Sequence, residues 1–337
     1  MNMYQVSILV PIYNVEKYIE RCVRSLMEQT YSDIQYVFVD DCSPDRSKDI
    51  LEKVISEYPD RMKNVLIITH NDNRGLSASR NTAVAHATGE FLCHVDSDDF
   101  IEKDAIENLV KRQYQTDADI VTGLALIERQ GEKSIIDVRE FTSKQDMILD
   151  VIKPTLRHTI WGRLIRKSIY INNNIHATVG TNVGEDVQVL PCLFYYANKY
   201  AFFYGLVYHY NCENENSYVH STVEINKLCY RGEQDVKSFL IVRDFFRDKD
   251  GMFFSQAESG VSLFVQILMY NYIQARDRKN FNRIRRIYNR LNTNYKGIGT
   301  WYSLHQKTGY QYDYCCLTAS LFQWLRSSYN KLNNKQQ

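Results

Sequence analysis

The stretch Cys93-His94-Val95-Asp96-Ser97-Asp98-Asp99-Phe100 decides how the chain folds, because an apolar run stops there in three carboxylates. Phe91, Leu92 and Val95 have the composition of a buried strand. Asp96, Ser97 and Asp98 then fall at its end, where a parallel sheet opens to solvent and ligands bind. An Asp-x-Asp pair puts two hard oxygen donors on one side of an extended segment, which suits Mg²⁺ or Mn²⁺. The same acids have a plainer use: Asp99 can cap the helix that follows while the others stay solvated.

Outward from that stretch, short apolar runs alternate with amphipathic helices. Val6 to Val10 form a first strand, ended by Pro11-Ile12-Tyr13-Asn14, since proline cannot donate to a ladder. Val15, Tyr18, Ile19, Cys22, Val23, Leu26 and Met27 recur at helical spacing. Tyr36 to Val39 form the second strand, stopping at Asp40-Asp41, and Ser43-Pro44-Asp45 has the chemistry of a helix start: a cap, a first-turn proline and an acid for the dipole. Val65 to Thr69 make a third strand, and Gly75 opens an Ala-rich helix over Ala78 to Ala87. Beyond the acidic stretch come a helix from about Lys103 to Tyr114 and a fifth strand, Ile120 to Leu126. This alternation predicts an α/β fold, a three-layer, mostly parallel sheet covered on both faces. Right-handed crossovers would gather the tails of the first, second and fourth strands at one edge, so that Pro11, Asp41, Asp96 and Asp98 share a cleft.

After residue 126 the pattern weakens. Glu128 to Asp150 is polar and irregular, and a mixed stretch follows with Trp161, Arg163 and Arg166. Gly184-Glu185-Asp186 precedes a helical stripe from Val187 to Ala197; its acids either favour the helix dipole or take a proton beside a cleft. Phe202 to Tyr210 alternates as a strand, and its tyrosines suit a core stripe better than a sugar platform. From about Ile225 the chain is helical, and its third helix, near Phe281 to Leu291, is Arg-rich. Two domains are expected: residues 1–220, carrying the site, and a helical extension over 221–337.

With 41 Lys and Arg against 40 Asp and Glu, no overall charge favours a nucleic-acid partner. The eight cysteines show no Cys-x-x-Cys spacing, and several lie in apolar periodic runs, as reduced core residues of a cytoplasmic protein do. The N-terminus lacks the basic and apolar regions of a signal peptide. The apolar stretch from Val261 to Ile273 falls short of the ~20 residues that span a bilayer, so no crossing is expected. Tyr314 to Leu332 mixes Leu317, Leu321, Phe322, Trp324 and Leu325 with Arg326 and Lys331; peripheral contact with the inner face of the cell membrane, packing on the rest of the chain and a homodimer contact all suit it.

The order of the motifs is more specific than any one of them. Ser7-Ile8-Leu9-Val10-Pro11-Ile12-Tyr13-Asn14, Val39-Asp40-Asp41-Cys42-Ser43, Asn73-Arg74-Gly75-Leu76-Ser77-Ala78-Ser79-Arg80-Asn81, Asp96-Ser97-Asp98-Asp99 and Gly184-Glu185-Asp186 follow one another as in the family 2 glycosyltransferases of bacterial polysaccharide biosynthesis, with their A-type, Rossmann-like nucleotide-diphospho-sugar fold. The resemblance is strong from Val6 to about Val121 and fair from Trp161 to Ser217. It implies a hexosyltransferase: an inverting, Mn²⁺- or Mg²⁺-dependent transfer from a UDP-sugar to a saccharide or lipid-linked saccharide. It further implies that Pro11 and Tyr13 line the base pocket, that Asp41 accepts from the uracil N–H, and that Asn73 and Arg80 hold the nucleotide, Arg80 offsetting phosphate charge. Asp96 would reach the ribose, a metal-bound water or the metal, Asp98 would ligate the metal, and Ser97 would shape the turn or touch ligand. Asp186 would be the base and Glu185 its support. Three residues depart from the pattern: Cys42 where glycine is common, Arg74 where a small residue is common, and Arg163 where lysine is usual. A late histidine, His209 or His220, is a further candidate ligand.

Other functions leave different marks. A nucleotidyltransferase would need a Gly- and Lys-rich loop after the first strand, and Pro11-Ile12-Tyr13-Asn14 is not one. A receiver-like phosphate switch is far shorter than this chain. A sugar-nucleotide-binding subunit without turnover stays open.

Overall fold

The first strands are mostly apolar and are buried along their whole length, as parallel strands between helical layers must be; their polar Ser7 and Gln35 bond to each other. The computed structural model describes residues 5–129, 132–136, 141, 143–154, 158–214 and 224–291. The chain divides into two units, Met1–Val151 with Arg157–Ser221, and Ile152–Leu156 with Thr222–Gln337.

In the first unit the elements run β1 (Val6–Ile12), α1 (Ile19–Met27), β2 (Ile34–Asp40), α2 (Ser47–Ser56), α3 (Pro59–Met62), β3 (Val65–Thr69), α4 (Leu76–His86), β4 (Phe91–His94), β5 (Phe100–Ile101), α5 (Ala105–Thr116), β6 (Ile120–Arg129), β7 (Glu132–Ile136), α6 (Lys144–Val151), β8 (Arg163–Arg166), α7 (Lys167–Asn172), α8 (Glu185–Tyr196) and β9 (Tyr200–Asn211). Among the described residues nine strands form one sheet, in the order β3-β2-β1-β4-β8-β6-β9-β5, with β7 beside β6. β1 to β4 are mutually parallel, as the alternation predicts. β8 enters between β4 and β6 and runs antiparallel to both, and β5 and β7 are antiparallel as well. These strands are two to five residues long, too short for a hydrophobic period to announce. Apolar side chains of β1, β2 and β4 pack with α1, α2 and α5 into one core.

Two local expectations differ. β1 runs through Pro11 to Ile12 instead of stopping before it. The β1–β4 ladder ends at Leu9, whose carbonyl accepts from Val95, so the missing N–H of Pro11 faces a side where pairing has ceased. α2 starts at Ser47, four residues after Ser43; Asp45 Oδ1 accepts from the Ser47 amide and hydroxyl and so makes the turn that precedes the helix.

In the second unit, α9 (Ile225–Phe246), α10 (Gly251–Gln274) and α11 (Arg278–Tyr288) follow one another. Asp250 and Asp277 cap the last two, each accepting from backbone amides. Two glycines let α9 and α10 approach closely: a Cβ at Gly232 would meet Leu268 at 2.9 Å, and one at Gly260 would meet Phe239 at 2.4 Å. The apolar stretch at 261–273 is core-facing within α10, and among the described residues no helix is long and apolar enough to cross a membrane. Residues 314–332 lie outside the described residues, as do Cys315, Cys316 and His220.

Candidate active site

At the end of β2 the chain turns sharply at Cys42, whose φ of 59° lies in the left-handed region that explains why glycine suits this place. The turn aims the buried Asp41 carboxylate at the loop before α4. Its Oδ1 accepts from the Arg74 amide (3.0 Å) and pairs with His70 Nδ1 (2.6 Å), and its Oδ2 accepts from the Gly75 amide (2.7 Å). His70 is fixed in turn by Thr82 through Nε2. The Asp41 amide donates to Ile12, so the ends of β1 and β2 and the 73–75 loop form one wall. Pro11 is buried in that wall, while Tyr13 (43% exposed) and Asn73 stand out from it.

α4 joins this wall to the second group of acids. Gly75 has φ +85°, and a Cβ there would lie 2.1 Å from Asn182 Oδ1. Ser77 donates to the Thr181 carbonyl, and Asn81 exchanges a pair of bonds with the backbone of Ala177. The helix is therefore stitched to the 177–182 segment, and its buried Arg80 meets three carboxylates: Asp96 at 2.9 Å, Glu185 at 3.4 Å and Asp186 at 3.8 Å. Burial pulls the guanidinium down, but Asp96, Asp186 and Glu185 together hold it above the ordinary arginine value. Gly184, in the left-handed region, turns the chain into α8 so that both acids stand in the first turn.

The acidic turn after β4 is closed by an Asp99 amide to Asp96 carbonyl bond, with Ser97 buried inside it. Asp99 is not a helix cap. It is fully buried, accepting from the Tyr208 hydroxyl (2.7 Å) and the Asn211 amide (2.7 Å). Tyr208 also accepts from the Asp96 amide, and Asn211 donates to the Asp98 carbonyl. Asp98 Oδ2 accepts from Asn214 at 2.8 Å. Burial, with Asp96 beside it, pushes Asp98 up to about 6, and burial with Asp98 and Asp96 raises Asp99 far above the usual carboxylate range.

The loop before β8 touches both groups. Its Ile160 amide donates to Asp186 Oδ2 at 2.9 Å, and Trp161 stacks on Tyr208 with ring centroids 4.3 Å apart. Arg163 donates from one nitrogen, Nη1, to the carbonyls of Thr159 and Trp161 and to the Thr159 hydroxyl. Burial brings its guanidinium down to about 10, still charged at neutral pH. Burial, with Asp186 next, lifts Glu185 to about 8, and burial raises Asp186 against the opposing pull of Arg80.

The structure thus brings Asp96, Arg80, Glu185 and Asp186 into contact and sets Asp98 in the same turn as Asp96. Pro11, Tyr13, Asp41 and Asn73 belong to the wall at the β1 and β2 ends. His209 stacks on Phe100 and pairs with Glu102. The sequence pattern did not single out His70, Trp161, Asn211 and Asn214 as site residues, and Tyr208 entered only as part of a core stripe. Among the described residues no three His, Cys, Asp or Glu side chains converge as a ready-made metal cluster. The donors at the turn, Asp96 and Asp98, are nonetheless all hard oxygens, and their mutual repulsion fits a divalent cation such as Mg²⁺ or Mn²⁺.

Comparison with known proteins bears on this arrangement. The model of the family Glycosyl transferase family 2 matches residues 7–194. The uncharacterized glycosyltransferase EpsJ of Bacillus subtilis (strain 168) is 31% identical over 189 residues, 54% of this chain and 53% of its own length. The minor teichoic acid biosynthesis protein GgaB of the same organism is 29% identical over 233 residues, 66% of this chain and 25% of its own. The chain thus spans about half the length of the first relative and a quarter of the second. Among solved structures, residues 1–349 of S. aureus TarS in complex with UDP-GlcNAc superpose with a TM-score of 0.54 at 19% identity, covering 85% of this chain and 91% of that one. The mannosyltransferase PcManGT from Pyrobaculum calidifontis, in complex with GDP-Man and Mn²⁺, gives 0.54 at 17% identity, covering 96% and 88%. At such identities the likeness is one of fold. The family match, which runs from β1 into α8 and takes in Asp41, Asp96, Asp98, Asp99, Glu185 and Asp186, covers more than half of the chain, and the protein belongs to glycosyl transferase family 2.

Proposed function

We propose that the chain is an inverting glycosyltransferase that moves a sugar from a UDP-sugar to a hydroxyl of a saccharide or lipid-linked saccharide. The observation that carries this reading is Arg80, which ties the donor-side acid Asp96 to the acid pair Glu185 and Asp186. Sugar transfer needs two things close together: positive charge where a diphosphate departs, and a base where a hydroxyl attacks.

Asp186 is the base. Its Oδ2 is held by the Ile160 amide, and burial makes the carboxylate a better proton acceptor than an exposed one. Burial, with Asp186 beside it, raises Glu185, so that of the two acids it is the one that holds a proton more readily, while Arg80 faces both of them and Asp96. One base with no second nucleophile assigned suits direct displacement, hence inversion. Pro11, Tyr13, Asp41 and Asn73 form the base pocket. Both Asp41 oxygens already accept from the protein, so Asp41 chiefly shapes the pocket and offers the uracil N–H the remaining lone pair of Oδ2. Ser97 fixes the acidic turn. A Mg²⁺ or Mn²⁺ ion on Asp96 and Asp98 would offset the charge that builds on departing UDP. The free thiols of Cys22, Cys93, Cys192 and Cys229, all buried, suit a reducing cytoplasm.

The test is UDP release from a panel of UDP-sugars in Mn²⁺. Release is expected from at least one donor, falling by about 10²- to 10⁴-fold in Asp186→Asn with UDP affinity retained. Equal release by Asp186→Asn would remove the base assignment, and no release from any UDP-sugar would remove the reading.

A further inference from the structure

We propose that the loop over residues 159–163, clamped by Arg163, is the element that sets the Asp186 carboxylate in register with the acidic turn at 96–99, and that Arg163 is a positioning residue for transfer. The inference deepens the assignment of Asp186 as the base and rests on it.

The loop reaches both halves of the site through adjacent residues. Ile160 offers its amide to Asp186 Oδ2, and Trp161 lays its ring on Tyr208, nearly parallel at 4°. Tyr208 in turn accepts from the Asp96 amide and donates to Asp99. One residue of the loop therefore orients the base, and the next supports the hydroxyl that orients the turn. A shift of the loop would move the two carboxylate groups relative to each other.

Such a loop needs something to hold it, because it lies outside any strand ladder until Arg163. Gly162 turns it through a φ of +70°, and its carbonyl accepts from the Gly123 amide on β6. The inner side is held by Arg163, which folds back on its own loop. The carbonyls of Thr159 and Trp161 and the Thr159 hydroxyl all point at Nη1, so the peptide between them turns the Ile160 N–H outward toward Asp186. Without that cation two buried carbonyls would lose their donor and the loop its reason to keep this shape.

All three contacts converge on a single nitrogen, whose two N–H groups are shared among the three acceptors. A lysine ammonium carries three N–H donors, so it has the hydrogen-bonding capacity to replace the guanidinium here, whereas it would fail at a bidentate site. Methionine keeps much of the bulk and none of the donors.

The experiment compares wild type, Arg163→Met, Arg163→Lys and Thr159→Val by two measurements. The first is hydrogen exchange of the Ile160 amide in isoleucine-labelled protein. Protection should drop by about tenfold or more in Arg163→Met, by a few-fold in Thr159→Val, and stay near wild type in Arg163→Lys. The second is turnover of the UDP-sugar selected above. Arg163→Met should lower kcat by roughly 10²-fold with donor KM unchanged, since it displaces the base and not the nucleotide pocket, and lysine should restore most of it.

Unchanged Ile160 protection in Arg163→Met, or a parallel loss of kcat and donor binding, would overturn the assignment. Should Arg163→Met not fold, unchanged protection in Thr159→Val overturns it equally. The exchange measurement does not depend on turnover, so failure of the clamp and failure of the glycosyltransferase reading give different results.

Discussion

Asp186 sits among Arg80, Asp96, Glu185, Arg163 and the Tyr170 hydroxyl, and these neighbours fix the pH at which it can act. The active form of a base is ionised, and burial raises its carboxyl, so transfer should be lost on acidification at a higher pH than an exposed aspartate would allow. Arg80 opposes that rise. Replacing it by glutamine should therefore move the acid limb of the kcat/KM profile further toward neutrality, read from UDP release between pH 5 and 9. A limb that stays put, or moves to lower pH, would show that Arg80 does not act on Asp186. The acids and Arg80 were legible in the sequence because each lies in a short local motif at a strand end or helix start. Tyr208 and Asn214 were not, because their partners Asp99 and Asp98 stand 109 and 116 residues away and no local spacing encodes the pairing. Arg163 was visible only as a departure from a lysine, and its single-nitrogen grip supplies a physical reason why either cation fits.

Among the elements, α4 joins the two groups of site residues, since its first turn packs on the 177–182 segment and its second presents Arg80. The alternation of β1 to β4 with helices was readable because buried parallel strands are continuous apolar runs. The antiparallel β8 was not: Arg163 and Arg166 flank its two apolar residues, and only its pairing between β4 and β6 shows them to be strand ends. Arg166 is held there by Asp119 and Glu90. Gly75 tests how tightly α4 must dock. Alanine there is strained at φ +85°, and its Cβ would meet the Asn182 side chain at 2.1 Å, so that side chain must swing away and the packing of α4 on the segment leading to Glu185 is expected to loosen. Gly75→Ala should cost about 1–3 kcal/mol of stability by urea denaturation and lower kcat as Arg80 and Asp186 separate. Wild-type turnover in that variant would mean that the contact between α4 and the 177–182 segment has no bearing on the acids.

Taken as a whole, the molecule is nearly neutral, with 41 basic and 40 acidic side chains, yet it gathers Asp96, Glu185 and Asp186 around the buried Arg80 and sets Asp98 and Asp99 in the same turn as Asp96. Four of these acids are raised by burial, which means that folding confines charge that water would stabilise better. Sites that keep such charge trade stability for a ligand that balances it. A divalent cation with UDP is the ligand proposed here, and its effect on global stability follows from linkage. At about 100 times its dissociation constant a ligand adds ~2.7 kcal/mol, equivalent to a rise in Tm of roughly 5–10 °C for a unit of this size. Wild type should show that rise with UDP and Mn²⁺ together and a much smaller one with UDP and chelator. Asp98→Ala should keep the small rise and lose the cation-dependent part, because it removes a metal ligand and leaves the wall at Asp41 and His70 intact. If wild type is stabilised equally by UDP in Mn²⁺ and in chelator, the acidic turn holds no cation during donor binding, and the charge on the departing diphosphate must be met by the protein's own donors.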